Sequence, residues 1–238
     1  MNGHGGSPVR TRWVYCATMP RQPAAPTVPA LDTARLTLRG HAVADFAECA
    51  AMWADPLVTR YIGGRPATEE EVWARVLRYA GLWVLLGYGY WVVRERGSGR
   101  FVGEVGLADF RRDLAPSLEG APEVGWALAT WAHGRGFATE AVRAALAWGD
   151  AHFPAETPHG AAPPGRTVCL IAPENAGSVR VAEKCGFREA ARATYKGTET
   201  LVFERSAARV VPTLESRSGV PRVDRGGAGA GRGALGSR

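Results

Sequence analysis

The stretch from Glu123 to His152 constrains the fold more than any other part of the chain. Six residues of strand character, EVGWAL, lead into a glycine-bearing loop around HGRG that opens directly onto an amphipathic helix. From Ala138 to His152 the apolar residues Ala141, Val142, Ala145, Leu146 and Trp148 recur at helical spacing. The geometry suits an anion. The first turn of a helix leaves main-chain N–H groups unpaired, and the aligned peptide dipoles add partial positive charge there. Gly134 and Gly136 let the main chain approach a pyrophosphate closely, Arg135 adds charge, and Ala138 and Thr139 keep the first turn uncluttered. A Gly-x-Gly triplet is weak by itself in a chain with 30 glycines. Competing phosphate motifs fail: no GxxxxGK followed by Ser or Thr is present, and GxGxxG breaks at Thr139.

The flanking segments predict a mixed fold. Arg35 to Arg39 (RLTLR) alternates as a half-buried strand does, after Leu31-Asp32-Thr33. Ala44 to Ala54 reads as a helix stopped by Asp55-Pro56, and Thr68 with Glu69 to Glu71 reads as the capped start of a second, reaching about Leu86. Tyr88 to Arg94 and Phe101 to Phe110 form a hairpin across Arg96-Gly97-Ser98-Gly99. Gly125 inside EVGWAL indicates a bulge or a close backbone approach. After a Pro-rich loop, Thr167 to Ile171 is a short apolar strand, and Asn175 to Cys185 is a helix ended by Gly186. Phe187 to Thr194 and Thr198 to Glu204 close the domain as a second hairpin. The order βααβββαβαββ predicts an α+β type of α/β protein. Its central sheet is largely antiparallel, with one parallel crossover around the 138–152 helix and helices covering it.

Composition narrows the function. The formal charge of +6 belongs to the ends: 1–30 hold three Arg and no acid, and 209–238 hold six Arg against Glu215 and Asp224. Residues 31–208 carry 20 basic and 21 acidic side chains. The expected organisation is a disordered extension at 1–30, one domain at 31–208 and a disordered Gly/Arg-rich tail at 209–238. Without interleaved aromatics the tails lack stacking platforms for nucleic acid, so RNA association through them is the lesser alternative. The longest apolar run, Trp83 to Val93, is short of the ~20 residues that span a bilayer, and no secretory signal is legible. Cys16, Cys49, Cys169 and Cys185 lack zinc-site spacing and disulfide density, so a reducing cytoplasm and no metal are expected.

The strand EVGWAL, the loop HGRGFATEA and the later NAGSVRVAEKCGF together resemble the GNAT superfamily of N-acetyltransferases. The match is to the branch that includes the ribosomal-protein alanine and serine acetyltransferases, and it spans roughly 32–205. The family loop pattern, Gln/Arg-x-x-Gly-x-Gly/Ala, falls on His133, Gly136 and Ala138, with His133 departing from Gln/Arg. The resemblance implies acetyl-CoA as co-substrate, its pyrophosphate held by the loop from His133 through Phe137 to Thr139. It also implies that the pantetheine arm lies between the EVGWAL and TVCLI strands, pairing with main chain near Trp126 and Leu128. Asn175 is implied to contact the coenzyme arm, and Ser178 to give a proton to the departing thiolate.

The chemistry so implied is attack of a neutral primary amine on a thioester, which needs proximity, a proton acceptor and oxyanion stabilisation. Glu104 and Glu123, on strands beside the implied cleft, are the candidate bases, with His133 a third. Each has a structural alternative: Asn175 and Ser178 as helix caps, the two glutamates as exposed strand carboxylates. Trp53, Trp73 and Trp83 read as core or cleft wall, and Tyr61 with Gly63-Gly64 as a segment touching the acceptor. The acceptor is an amine of unnamed identity, a protein N-terminus or a small molecule. A non-catalytic coenzyme sensor is the alternative within the same fold.

Overall fold

The computed structural model describes residues 27–153 and 165–206, all within one compact unit. Its strands are β1 (Leu31–Asp32), β2 (Leu36–Arg39), β3 (Tyr90–Glu95), β4 (Phe101–Ala108), β5 (Glu123–Leu128), β6 (Arg166–Ile171), β7 (Arg188–Tyr195) and β8 (Thr198–Ser206). The helices are α1 (Phe46–Trp53), α2 (Pro56–Thr59), α3 (Glu69–Leu86), α4 (Phe137–His152) and α5 (Ala176–Lys184). One sheet runs β1-β2-β3-β4-β5-β6-β8-β7, antiparallel throughout except at β5 and β6. The predicted mixed sheet and its single parallel crossover are present.

Local chemistry sets the helix boundaries. Thr68 accepts from the Glu71 N–H while Glu71 reaches back to the Thr68 N–H, a reciprocal cap that starts α3. Gly87, left-handed at φ 75°, stops it. Asp55 does end the preceding helix, but Pro56 then opens the single turn of α2, because proline needs no N–H partner at a first helical position. The start predicted at Ala44 is a 3-10 turn, Val43–Asp45, and α1 proper begins at Phe46.

The sheet divides the core in two. Trp91, Val93, Val102, Val105, Leu107 and Val124 face α4 and pack with Phe137, Ala141, Ala145 and Leu146. On the opposite face, α1 and α3 lay Cys49, Met52, Trp53, Val72 and Val76 over Val92, Phe101 and Ala127. Gly125 forms no bulge, since β4 and β5 pair in unbroken register from Gly103–Leu128 to Ala108–Glu123. The irregularities fall instead between Val93 and Arg94 and between Glu189 and Ala191.

The domain begins earlier than the boundary expected at 31. Val28 packs against the core and the Trp91 Nε1–H donates to the Pro29 carbonyl at 2.8 Å. The remaining expectations for the N-terminal extension, the Gly/Arg tail and most of the Pro-rich loop lie outside the described residues.

One buried carboxylate ties β2, β3 and the start of α1 together. Asp45 accepts both guanidinium arms of Arg39 (2.6 and 2.7 Å), Arg94 (2.7 Å) and the Ala42 N–H (2.8 Å). Burial pushes its carboxyl up, but the bonds from Arg39, Arg94 and Ala42 outweigh that and hold it far below the carboxylate range. A depressed folded value means the stabilisation is complete above the unfolded value of about 4 and is lost as pH falls. Asp45→Asn should therefore cost about 3 kcal/mol near neutrality. It should also flatten the decline in stability below about pH 4. Denaturant melts of both proteins across the acid range check this, and parallel curves would contradict it.

Candidate active site

β5 and β6 are neighbours in the sheet, yet their ladder consists of one residue pair, Glu123 with Val168, extended by a Val168 N–H bond to the Pro122 carbonyl (3.0 Å). Past that point the strands part. The Ala129 N–H donates to the Val102 carbonyl at 2.9 Å. In an antiparallel ladder such exchanging pairs alternate, so Ala127 and Gly125 also turn their main chain to β4. The residues between them, Trp126 and Leu128, turn their N–H and C=O groups to the gap. A row of main-chain donors and acceptors thus lines an opening inside the sheet. The Leu128 carbonyl already has a partner in the His133 ring, whose Nε2 lies 2.9 Å away.

At the open end of the gap, β5 passes through a 3-10 turn, Thr130–Ala132, into the loop that starts α4. Gly134 and Gly136 are both left-handed, at φ 73° and 78°. These are conformations in which a Cβ is strained. Gly136 is the N-cap of α4 and no side chain caps it, whereas Asp55, Thr68 and Asn175 cap α2, α3 and α5. The first intrahelical bond of α4 runs from Glu140 to the Gly136 carbonyl, which leaves the N–H groups of Phe137, Ala138 and Thr139 free of helical partners. The Phe137 side chain is buried in the core, so only its main chain faces outward. A groove of about 640 Å³ follows the first turns of α4 past Gly136, Thr139 and Arg143 to Lys184. The exposed Arg135 guanidinium lies over Phe137 and Trp131.

Because β5 and β6 are parallel, the end of β6 stands at the same end of the gap. α5 follows it directly. The Asn175 Oδ1 accepts the Ser178 N–H at 3.1 Å, so Asn175 is the cap and Ser178 is not. Ser178 occupies the third helical position, half-buried.

The two glutamates singled out in the sequence are not exposed strand carboxylates. Glu104 is fully buried on the α1–α3 face, accepting the Trp53 Nε1–H (2.8 Å) and facing the His41 Nε2 (3.1 Å). Cys49 completes this cluster, whose donor atoms lie within 4.8 Å of one another. Burial, and the carboxylate beside it, push the Cys49 thiol well above its usual value. Glu123 is buried too, held by both arms of Arg112 at 2.5 and 2.7 Å. It borders a pocket of about 250 Å³ formed with Phe110, Arg112 and Leu118 at the closed end of the gap.

Between the two carboxylates lies an aromatic wall. Tyr79 from α3 stacks on Tyr90 from β3 at 4.1 Å and 4°. The Tyr90 hydroxyl stands over Gly125, where a Cβ would come within 2.2 Å of it. Gly125 is thus a close-approach glycine, the other reading of its position. Burial raises both phenols, so they remain protonated near neutrality. His41, Arg75, Tyr79, Tyr90 and Arg112 carried no signal in the sequence: Arg75 and Tyr79 share α3, and the other three are single polar residues elsewhere along the chain. Trp53 and Trp83 are core residues, while Trp73 is partly exposed with its ring against Phe46. Tyr61 and Gly63-Gly64 form a partly exposed turn after α2.

Residues 35–188 match the acetyltransferase (GNAT) domain family. A GnaT-family protein of Bordetella pertussis has the same architecture, with 32% identity and a TM-score of 0.63 over 75% of this chain and 99% of that one. RimL, the ribosomal L7/L12 alpha-N-protein acetyltransferase solved in complex with coenzyme A, shares the fold at 14% identity, with a TM-score of 0.56 over 75% of this chain and 98% of its own. The curated relative YkkB of Bacillus subtilis strain 168, an uncharacterised protein, is 29% identical over 125 residues. That alignment spans 51% of this chain and 64% of the relative.

The contact between Gly125 and Tyr90 is open to a direct test. Gly125→Ala should destabilise the domain by about 1–3 kcal/mol, the usual cost of overpacking. Because the next nearest ring atom is 3.3 Å away, adding Tyr90→Phe should return much of the loss. Thermal melts of the single and double variants decide the matter, and an additive double variant would show that the hydroxyl is not the obstacle.

Proposed function

Because the chain belongs to the GNAT acetyltransferase family, we propose that it moves an acetyl group from acetyl-CoA to a primary amine by direct attack. One observation carries the reading: α4, the helix that follows β5, starts without a side-chain cap, on two left-handed glycines, at the open mouth of the gap between β5 and β6. Three free N–H groups and the helix dipole suit a pyrophosphate. The N–H of Leu128 and the main chain of Trp126 suit an amide-bearing arm laid along β5 in place of a strand. The groove beside α4 is lined by Arg35, Arg143 and Lys184 and by Asp32 and Glu140, of which Glu140 is paired with Arg35. The coenzyme supplies an activated thioester.

The residues of this chain then divide the remaining tasks. An arm running from the α4 loop toward Glu123 brings the thioester beside Gly125, under Tyr90. α4 fills the opposite face, so the amine enters from the α1–α3 side. Attack forms the new N–C bond, the C–S bond breaks, and the departing sulfur takes a proton while the amine loses one. Ser178, at the start of α5, is proposed as the donor to sulfur. Glu104, joined to His41, is proposed to take the amine proton through intervening polar groups, since burial denies it direct contact. Glu123 is less suited, because Arg112 occupies both its oxygens. Asn175, already bonded through Oδ1 to the helix, keeps only its amide NH2 for the coenzyme arm.

Release of free CoA thiol from acetyl-CoA in the presence of an amine panel tests the activity, and its absence with every amine would overturn the reading. Gly136→Val should largely abolish coenzyme binding by calorimetry while the protein stays folded. Ser178→Ala should lower the turnover rate by about 100- to 10,000-fold and leave the coenzyme dissociation constant nearly unchanged. A Ser178→Ala protein with wild-type turnover would remove that residue from the mechanism.

A further inference from the structure

Among the described residues, Arg75 is the partly buried arginine that forms no ion pair. The partly buried arginines elsewhere each grip a carboxylate: Arg39 and Arg94 hold Asp45, Arg112 holds Glu123, Arg166 holds Glu204 and Arg205 holds Asp150. Among the described residues, no carboxylate makes an ion pair with Arg75. Its guanidinium lies flat on the Trp53 indole, 3.8 Å from the ring centroid. Its one side-chain hydrogen bond is a long one, 3.3 Å from Nη1 to the Tyr79 hydroxyl. Its Nε is buried and has no partner. An unpaired donor on a cation, withdrawn from water, is costly unless something else satisfies it.

The position of this group is informative. Tyr79, which Arg75 touches, stacks on Tyr90, and Tyr90 stands over Gly125 beside the gap. Arg75 therefore lies on the face from which the acceptor enters in the proposed reaction. Glu104 is on the same face and is engaged by the Trp53 N–H and by His41, not by Arg75. The face thus holds a cation with an open donor stacked on the Trp53 ring and an anion bonded to the Trp53 N–H, the anion favouring the charged form of Arg75. A carboxylate on the acceptor would supply the acceptor oxygens that the Arg75 donor lacks, while Glu104, fully buried, stays out of direct contact.

We propose that the acceptor is an amine that also carries a carboxylate, an amino acid in the broad chemical sense, and that Arg75 receives the carboxylate. The guanidinium is planar and presents its N–H groups as a fork matched to the two oxygens of that group. Trp53 fixes the plane of the fork and so removes much of the ordering cost. The orphaned Nε–H gains its acceptor only when the substrate is present, which makes the interaction selective for anionic amines. This proposal rests on the acetyl-transfer reading.

Matched pairs separate the two. The full chain is assayed for thiol release with glycine, β-alanine, γ-aminobutyrate and phenylalanine, each against the amine that lacks its carboxylate: methylamine, ethylamine, propylamine and phenethylamine. At least one carboxylated member should exceed its partner in kcat/KM by roughly 10- to 100-fold, the usual worth of hydrogen bonds to a charged group. Arg75→Gln should erase that preference, chiefly by raising KM, and Arg75→Lys should restore only part of it. Turnover with equal or better rates on the uncharged partners would overturn this proposal and leave acetyl transfer standing. So would a preference that survives Arg75→Gln. Absence of turnover with every amine would overturn the transfer reading, and this one with it. Should the variants fail to fold, as judged by melts, the preference of the unmodified chain still decides.

Discussion

A parallel strand pair that separates after one bridge governs the architecture. Two strands in a sheet ordinarily consume each other's main-chain groups, and a gap between them is costly unless those groups find other partners. Here β6 turns to β8 for its pairing, from Arg166–Ser206 to Ile171–Leu201, and β5 turns to β4. Each strand keeps one satisfied edge, and the two free edges face each other across the opening. The crossover helix α4 begins at the end of β5 and α5 at the end of β6, so both helix N-termini are delivered to the same mouth. The domain is in effect two sheets joined at Glu123 and Val168, with α4 packed across the join through Val142, Leu146, Cys169 and Ile171.

The second consequence is a division of labour between the faces. α4 seals one face with aliphatic and aromatic side chains. The other face is closed by α1 and α3, yet it carries Glu104, His41, Arg75, Tyr79, Tyr90 and the Arg112–Glu123 pair. So many polar groups in a core are costly as packing material. Glu104 is held by Trp53 and His41 and Glu123 by Arg112, each from another part of the chain, while Arg75 and Tyr79 bond each other within α3. Gly106 and Gly125 make the aromatic wall possible, since a Cβ at either position would collide with Tyr90 at 2.4 or 2.2 Å. Two apparently featureless glycines in strands therefore set how closely a tyrosine approaches the gap.

Much of the fold was legible because it is encoded locally. Helix periodicity, the Thr68 cap, Gly87 and Gly186 at helix ends and the strand alternation are properties of neighbouring residues. The short β1 and α2 escaped for a local reason as well: two residues of strand and one turn of helix carry too little pattern to stand out. The sequence left Gly125 open between a bulge and a close backbone approach, because a strand glycine has two explanations, irregular pairing or a close neighbour. Only the position of Tyr90, from another strand, distinguishes them.

By itself the sequence determined the elements on one side of the candidate site: a strand, a Gly-x-Gly loop opening directly onto an amphipathic helix, and later a helix beginning around Asn175 and Ser178. Those features lie within a few residues of one another, and the chemistry of a helix N-terminus is local. Tertiary structure alone decided the other half of the candidate site. That Glu104 is buried against His41 and Trp53, that Arg112 occupies Glu123 and that Arg75 has no ion pair depend on β4, β5, α1, α3 and the loops of His41 and Arg112 being brought together. Burial and pairing of a charge are set by what long-range packing places beside it, and no spacing along the chain records that.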